Sequence, residues 1–188
     1  MNRTFQAVLI VSTLVVSWLA MQIIHELGHV LGAKLSGGRV AEVVLHPTTI
    51  SYTRLAENPR PLFVTWMGPL VGAMLPVIML MLAKALRWSA AYLVQFFTGF
   101  CLIANGAYVA FGSINAVGDA GDLLKHGASR LLIWLFGLIT IITGLMLWHG
   151  LGQHFGLGHR QREVNWRHAC SMLAILISIV TTEIVLSR

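Results

Sequence analysis

The sequence predicts an all-α fold: a polytopic transmembrane helical bundle of about five spans, with a small β-hairpin between spans one and two. Three observations carry that expectation. Hydrophobic residues make up 56% of the 188 and charged residues 11%, with a mean hydropathy of +0.76, which does not fit a soluble domain. Five apolar runs are as long as a bilayer's hydrocarbon core is thick, which takes roughly 20 residues of helix. The 13 lysines and arginines lie singly in the short segments between those runs. That is how membrane proteins distribute charge, so the net charge of +6 belongs with a lipid bilayer, and no nucleic-acid partner is expected.

The first run spans about Phe5–Leu35. It is longer than the hydrocarbon core, so its last turns are expected to emerge into a cavity or interface. Arg3 followed by an apolar stretch resembles a signal peptide. No small-residue cleavage site interrupts it, however, so an uncleaved span is expected. Inside this run stands His25-Glu26-Leu27-Gly28-His29. Histidines four apart on a helix lie about 40° apart around the axis, so both imidazoles can reach one ion. The adjoining Glu26 points to a neighbouring face, from which it can accept a proton from a water that the ion activates. Ionisable groups in a span cost roughly 3 kcal/mol or more each and are kept for function. The spacing therefore points to zinc rather than to two satisfied core histidines.

Residues 36–61 form the one long polar connector. Gly37-Gly38 ends the helix, Val40–Leu45 reads as a strand, His46-Pro47 breaks it, and Thr48–Thr53 reads as a second strand. Such a hairpin serves either as a plain connector or as an exposed strand edge that holds an unwound segment by backbone hydrogen bonds. His46 is expected to be a loop residue, not a ligand. Span two, about Leu62–Leu86, opens with Trp66-Met67-Gly68-Pro69, which permits close helix approach. Spans three to five are about Ala90–Ile114, Leu131–Trp148 and Ala169–Leu186. Cys101 and Cys170 are expected to be small buried thiols. His149, His154, His159 and His168, with Arg160, Arg162 and Arg167, read as an interfacial basic loop on the membrane face opposite the His25 pair.

A catalytic zinc takes three protein ligands and an open position. The acidic residues are few: Glu26, Glu42, Glu57, Glu163, Glu183, Asp119 and Asp122. Alternating spans bring the C-terminal ends of spans one and three to one side, so Asp119 and Asp122 share a depth with His25 and His29. Glu163 falls on the other side, and no glutamate downstream of Glu26 is expected within a span on the histidine side. On this argument either aspartate can complete the site, or both can serve as a helix-start cap.

The order H-E-x-x-H, Gly37-Gly38-Arg39-Val40, Gly68-Pro69 and an Asp-containing turn after span three resembles the site-2 protease family of intramembrane zinc metalloproteases, in particular its compact bacterial-type members. The resemblance covers roughly Met21–Leu124. It implies zinc ligands His25, His29 and an aspartate, with Glu26 as general base. The family's aspartate is followed by glycines, which selects Asp119-Ala120-Gly121 over Asp122-Leu123-Leu124. Alanine stands for the first of those glycines, and the Asn115-Ala116-Val117-Gly118 segment lacks the proline that often accompanies that asparagine. The implied organisation is a metalloprotease core over residues 1–125 and two added spans over 126–188. The implied activity is zinc-dependent endopeptidase hydrolysis of peptide bonds in or near transmembrane segments of protein substrates. A non-catalytic zinc-binding scaffold or regulator of the same fold and a metal transporter are the alternatives. Lysines and arginines divide nearly evenly between the two faces, so charge does not orient the chain. The resemblance implies a plasma-membrane protein with its site nearer the cytoplasmic side. Oligomeric state is left open.

Overall fold

The computed structural model describes residues 3–158 and 163–186. Helix α1 runs Arg3–Leu35, followed by β1 Arg39–Val44, β2 Tyr52–Glu57, α2 Pro61–Ala85, α3 Ala91–Asn115, α4 Gly118–Lys125, α5 Arg130–Trp148, a 3-10 turn Leu151–Phe155, and α6 Trp166–Leu186. Five of the helices (α1, α2, α3, α5 and α6) are long and apolar enough to cross a membrane. The remaining structure is a two-stranded antiparallel hairpin, the short α4 and the 3-10 turn. The all-α multi-span expectation therefore stands, with helix limits within a few residues of those read from hydropathy.

Helix α1 is the central element, touching α2, α3, α6 and both strands. Its polarity is inside-out. Ser12, Thr13, Ser17, Gln22, His25 and Glu26 are buried, while Val11, Leu14, Val15 and Trp18 face outward. A polar stripe of this kind is tolerable in a membrane only when it faces protein or a water-lined cavity. The helix stops where Gly37 adopts φ 78°, open to glycine at little cost. The Gly38 N–H then bonds the Ala33 carbonyl at 2.8 Å, closing the end.

Helix α2 returns alongside α1, and α3 runs back toward the hairpin end. Helix α5 lies along α3 through small residues. A methyl group on Gly137 would meet the Ala110 side chain, and one on Gly144 would meet the Gly99 carbonyl at 2.7 Å. Close backbone approach of this kind replaces hydrophobic burial as the source of helix association in lipid. Helix α6 lies along α1, where Leu9, Val16, Ala169 and Met172 cluster with Leu151 and Phe155 of the 3-10 turn. Cys101 is buried, as expected. Cys170 is exposed, contrary to expectation, because α6 packs by one face and that thiol is on another.

The hairpin also corrects the sequence reading. The second strand begins at Tyr52 rather than Thr48, and residues 45–51 form the connection. His46 Nδ1 accepts the Thr48 N–H at 3.2 Å, which makes residues 46–48 a turn around Pro47. Val44 pairs with Tyr52, and bulges interrupt the ladder between Arg39 and Glu42. His46 is a loop residue, as expected.

Candidate metal centre

Each side chain of the centre is delivered by a different local cause. His25, Glu26 and His29 come from consecutive turns of α1. Asp119 comes from the first turn of α4, and the way α4 sits determines where it points. Ala120 and Leu123 are fully buried with Val109 of α3 and Ile133 of α5. The break before α4 needs left-handed backbone at Ala116, φ 52°, and Gly118, φ 56°. The reversal turns Asp119 back toward α1, and its N–H donates to Tyr108 Oη at 3.2 Å.

His25 Nε2 lies 2.8 Å and His29 Nε2 3.3 Å from Asp119 Oδ2, and the two Nε2 atoms are 3.1 Å apart. Three ligand atoms each about 2.0–2.1 Å from a tetrahedral ion would be separated by about 3.3 Å. The observed triangle is close to one face of such a tetrahedron. Glu26 belongs to the same cluster: its carboxylate lies within 4.8 Å of the His25 and His29 ligand atoms. Among the described residues no other group of three or more His, Cys, Asp or Glu converges in this way.

The protonation pattern follows from the outer contacts. His25 Nδ1–H donates to Asn105 Oδ1 at 2.7 Å, and Asn105 Nδ2 donates to the Cys101 carbonyl at 2.9 Å, which fixes the amide's orientation. His29 Nδ1–H donates to the Val64 carbonyl at 3.0 Å. With Nδ1 carrying the proton in both rings, each Nε2 presents a lone pair. Two nitrogen lone pairs and a carboxylate oxygen then face one point, an arrangement that repels itself unless a cation or added protons occupy that point. Burial alone would raise the Asp119 carboxyl. Protons shared from His25 and His29 outweigh burial and hold it well below the usual carboxylate range. A metal ion would take the place of those protons.

Glycine makes the approach possible. A methyl group at Gly68 would collide with the His29 ring and come within 2.9 Å of His25 Nε2, and one at Gly72 would meet Asn105 Oδ1 at 2.5 Å. The Gly68-Pro69 signal therefore has a site-specific cause. Asp122 is exposed, and both aspartates line a cavity of about 710 Å3 together with His25, Glu26, His29 and Tyr108. The structure brings Asp119 onto both histidines.

Sequence reasoning missed Asn105, Tyr108 and Thr53, whose Oγ1 donates to Glu26 Oε2 at 2.6 Å. The first two carried a usable signal, being polar side chains three apart in the C-terminal half of an apolar span. Glu183 is also misplaced in the sequence reading. It lies at the hairpin end of α6, buried and within electrostatic reach of His46, yet it does not line the cavity. His159, Arg160 and Arg162 of the expected basic loop lie outside the described residues.

The family model described as Peptidase M50B-like matches residues 4–111, more than half of the chain. The chain belongs to the Peptidase M50B-like family. With five helices able to cross a membrane, it is a multi-pass membrane protein of a metallopeptidase family of the site-2 protease type. The match takes in α1, the hairpin, α2 and most of α3 and ends before α4, so Asp119 lies beyond it. No curated protein and no solved structure matches the chain.

Proposed function

We propose that the chain is an intramembrane zinc metalloprotease that hydrolyses peptide bonds in or near transmembrane segments of membrane proteins. The observation that carries this reading is the convergence of His25 Nε2, His29 Nε2 and Asp119 Oδ2 on one point, with the Nδ1 protons of both rings already committed. A set of two imidazoles and one carboxylate suits zinc and leaves its fourth position open. When bound, zinc supplies Lewis-acid polarisation of a water and of the scissile carbonyl.

The chain's own groups do the rest. Glu26 takes the proton from the attacking water and returns it to the leaving amine. Thr53 holds one oxygen of that carboxylate, so the Glu26 side chain stays oriented rather than sweeping through the cavity. Strand β2 pairs on one edge only and borders the cavity through Tyr52, Thr53 and Leu55, which suits backbone pairing with an extended substrate. A helical peptide bond is shielded by its own hydrogen bonds, so helix-destabilising residues in the substrate favour cleavage. In this reading residues 1–125 form the catalytic core of a compact bacterial-type enzyme and 126–188 add two spans. The site lies nearer the cytoplasmic face of the plasma membrane.

The test compares membrane-protein fragments in cells carrying the native chain and Glu26→Gln. Fragments that vanish in the variant are expected. Identical fragment patterns, with both proteins present and zinc-loaded, would leave the non-catalytic scaffold as the better reading. Zinc transport that survives Glu26→Gln would favour a transporter.

A further inference from the structure

Among the described residues, five buried side-chain atoms have no hydrogen-bond partner: Thr13 Oγ1, Gln22 Nε2, Ser51 Oγ, Asn58 Oδ1 and Glu183 Oε2. Gln22, Ser51 and Asn58 all line the cavity that holds Glu26. Buried polar atoms are nearly always paired, so three unpaired ones around one cavity mark a place built for a polar occupant. Gln22 is 6% exposed and Ser51 5%, so the occupant has to reach them through the cavity and not from bulk water.

Their chemistry is defined by what surrounds them. Gln22 Oε1 accepts the Ser51 N–H at 2.8 Å, which commits the oxygen end of the carboxamide and leaves Nε2 as a donor. The Ser51 hydroxyl adds a second donor beside it. Asn58 Oδ1, just past the far end of β2, offers an acceptor.

The placement relative to Glu26 is regular. Gln22 precedes Glu26 by four residues on α1, roughly 6 Å along the helix axis. Ser51 precedes Thr53, the donor to Glu26, by two residues, about 6.6–6.8 Å if extended. An extended peptide repeats its carbonyl direction every two residues, which is the same distance. A peptide lying along β2 with one bond at Glu26 therefore brings another carbonyl to Gln22 and Ser51.

We propose that Gln22 and Ser51 form a backbone-carbonyl subsite, with Asn58 taking a peptide N–H on the other flank, which receives the substrate two residues from the scissile bond. This rests on the protease reading and deepens it: the subsite recognises an unwound main chain and not a particular side chain.

The experiment uses the full chain with Glu26→Gln in detergent micelles, loaded with zinc, so that bound peptide persists. The probes are two labelled, lysine-flanked polyleucine peptides of membrane-spanning length, one uninterrupted and one broken at its centre by Gly-Asn-Gly. The broken peptide is expected to bind more tightly. Adding Gln22→Glu, which keeps the acceptor for Ser51 and removes the donor, should weaken its binding about tenfold, as losing one good hydrogen bond does. Ser51→Ala should weaken it less, and both variants should hold zinc as before. If both bind the broken peptide as tightly as the parent at equal zinc content, the atoms are merely wetted and the subsite is overturned. Loss of zinc along with peptide in Gln22→Glu would also overturn it, by assigning Gln22 to support of the metal centre. Failure of the protease reading looks different: the chain with native Glu26 would leave the broken peptide uncut while Gln22→Glu still weakened its binding.

Discussion

At the hairpin end of the molecule, His25 and His29 stand edge to face, with ring centres 4.9 Å apart and Asp119 across from them. At the opposite end, His154 stacks on the Tyr92 ring at 4.8 Å, nearly parallel, and Tyr92 Oη is hydrogen-bonded with His168 Nδ1 at 3.1 Å. A second cavity, of about 380 Å3, opens there beside His149 and His154. The second region carries His149, His154 and His168, yet it forms no cluster of potential ligands among the described residues. The imidazoles of His154 and His168 are engaged by an aromatic face and a phenol, whereas those of His25 and His29 are held by carbonyl acceptors at Nδ1 that turn Nε2 inward. A histidine becomes a ligand through what holds its other nitrogen. The number of histidines nearby matters less.

The largest expected effect separates the two regions directly. The purified chain should carry about one zinc, as a three-ligand site does. His25→Ala with His29→Ala should abolish it, whereas His149→Ala with His154→Ala should leave it intact. Zinc retained in the first double variant, measured by elemental analysis, would break the comparison.

Next in size is the choice of carboxylate. Asp119→Asn should weaken zinc binding strongly, since a neutral amide donates less charge to a dication. Asp122→Asn should leave zinc bound, with an activity loss of about 10–100-fold at most through outer contacts. A reversal, with zinc lost at Asp122 and kept at Asp119, would move the ligand by one turn.

Asn105→Leu sharpens the claim about the other nitrogen. Removing the acceptor for His25 Nδ1–H should cost about 10–100-fold in zinc affinity, while Asn105→Asp, which keeps an acceptor, should restore most of it. Equal affinities for the two variants in a chelator competition would show that Asn105 only fills space.

Tyr92→Phe should have the smallest effect. It removes one hydrogen bond to His168, worth about 1 kcal/mol, so a slight drop in thermal stability is expected with no change in zinc content. A loss of zinc from this variant would mean that the two ends of the bundle are coupled.

The sequence carries a great deal of this on its face. Five spans are legible because a bilayer demands long uninterrupted apolar helices, a constraint that leaves little freedom in where they begin and end. His25, Glu26 and His29 are legible because helix geometry alone places them together. The hairpin was legible only as a hairpin. Its second strand starts at Tyr52 and not Thr48, because Ser51 and Thr53 dock on Gln22 and Glu26, contacts between segments more than 25 residues apart. Exposed ion pairs across the strands, Arg39 with Glu57 and Arg54 with Glu42, are too weak to set that register.

What the sequence determined by itself, then, is whatever depends on local periodicity and on the cost of polar groups in lipid: the spans, the helix end at Gly37, and the paired histidines with their glutamate. The motif resemblance favoured Asp119 over Asp122, but only the tertiary structure carries it to the histidines, with Ala120 and Leu123 buried against α3 and α5 and Asp119 turned inward. The tertiary structure also decided that Asn105 and the Val64 carbonyl hold the Nδ1 protons and that Gly68 leaves room for both rings. Those are contacts between different helices. Hydropathy places each helix in the membrane but is silent on its rotation about its own axis, and that rotation is set only when the helices pack together.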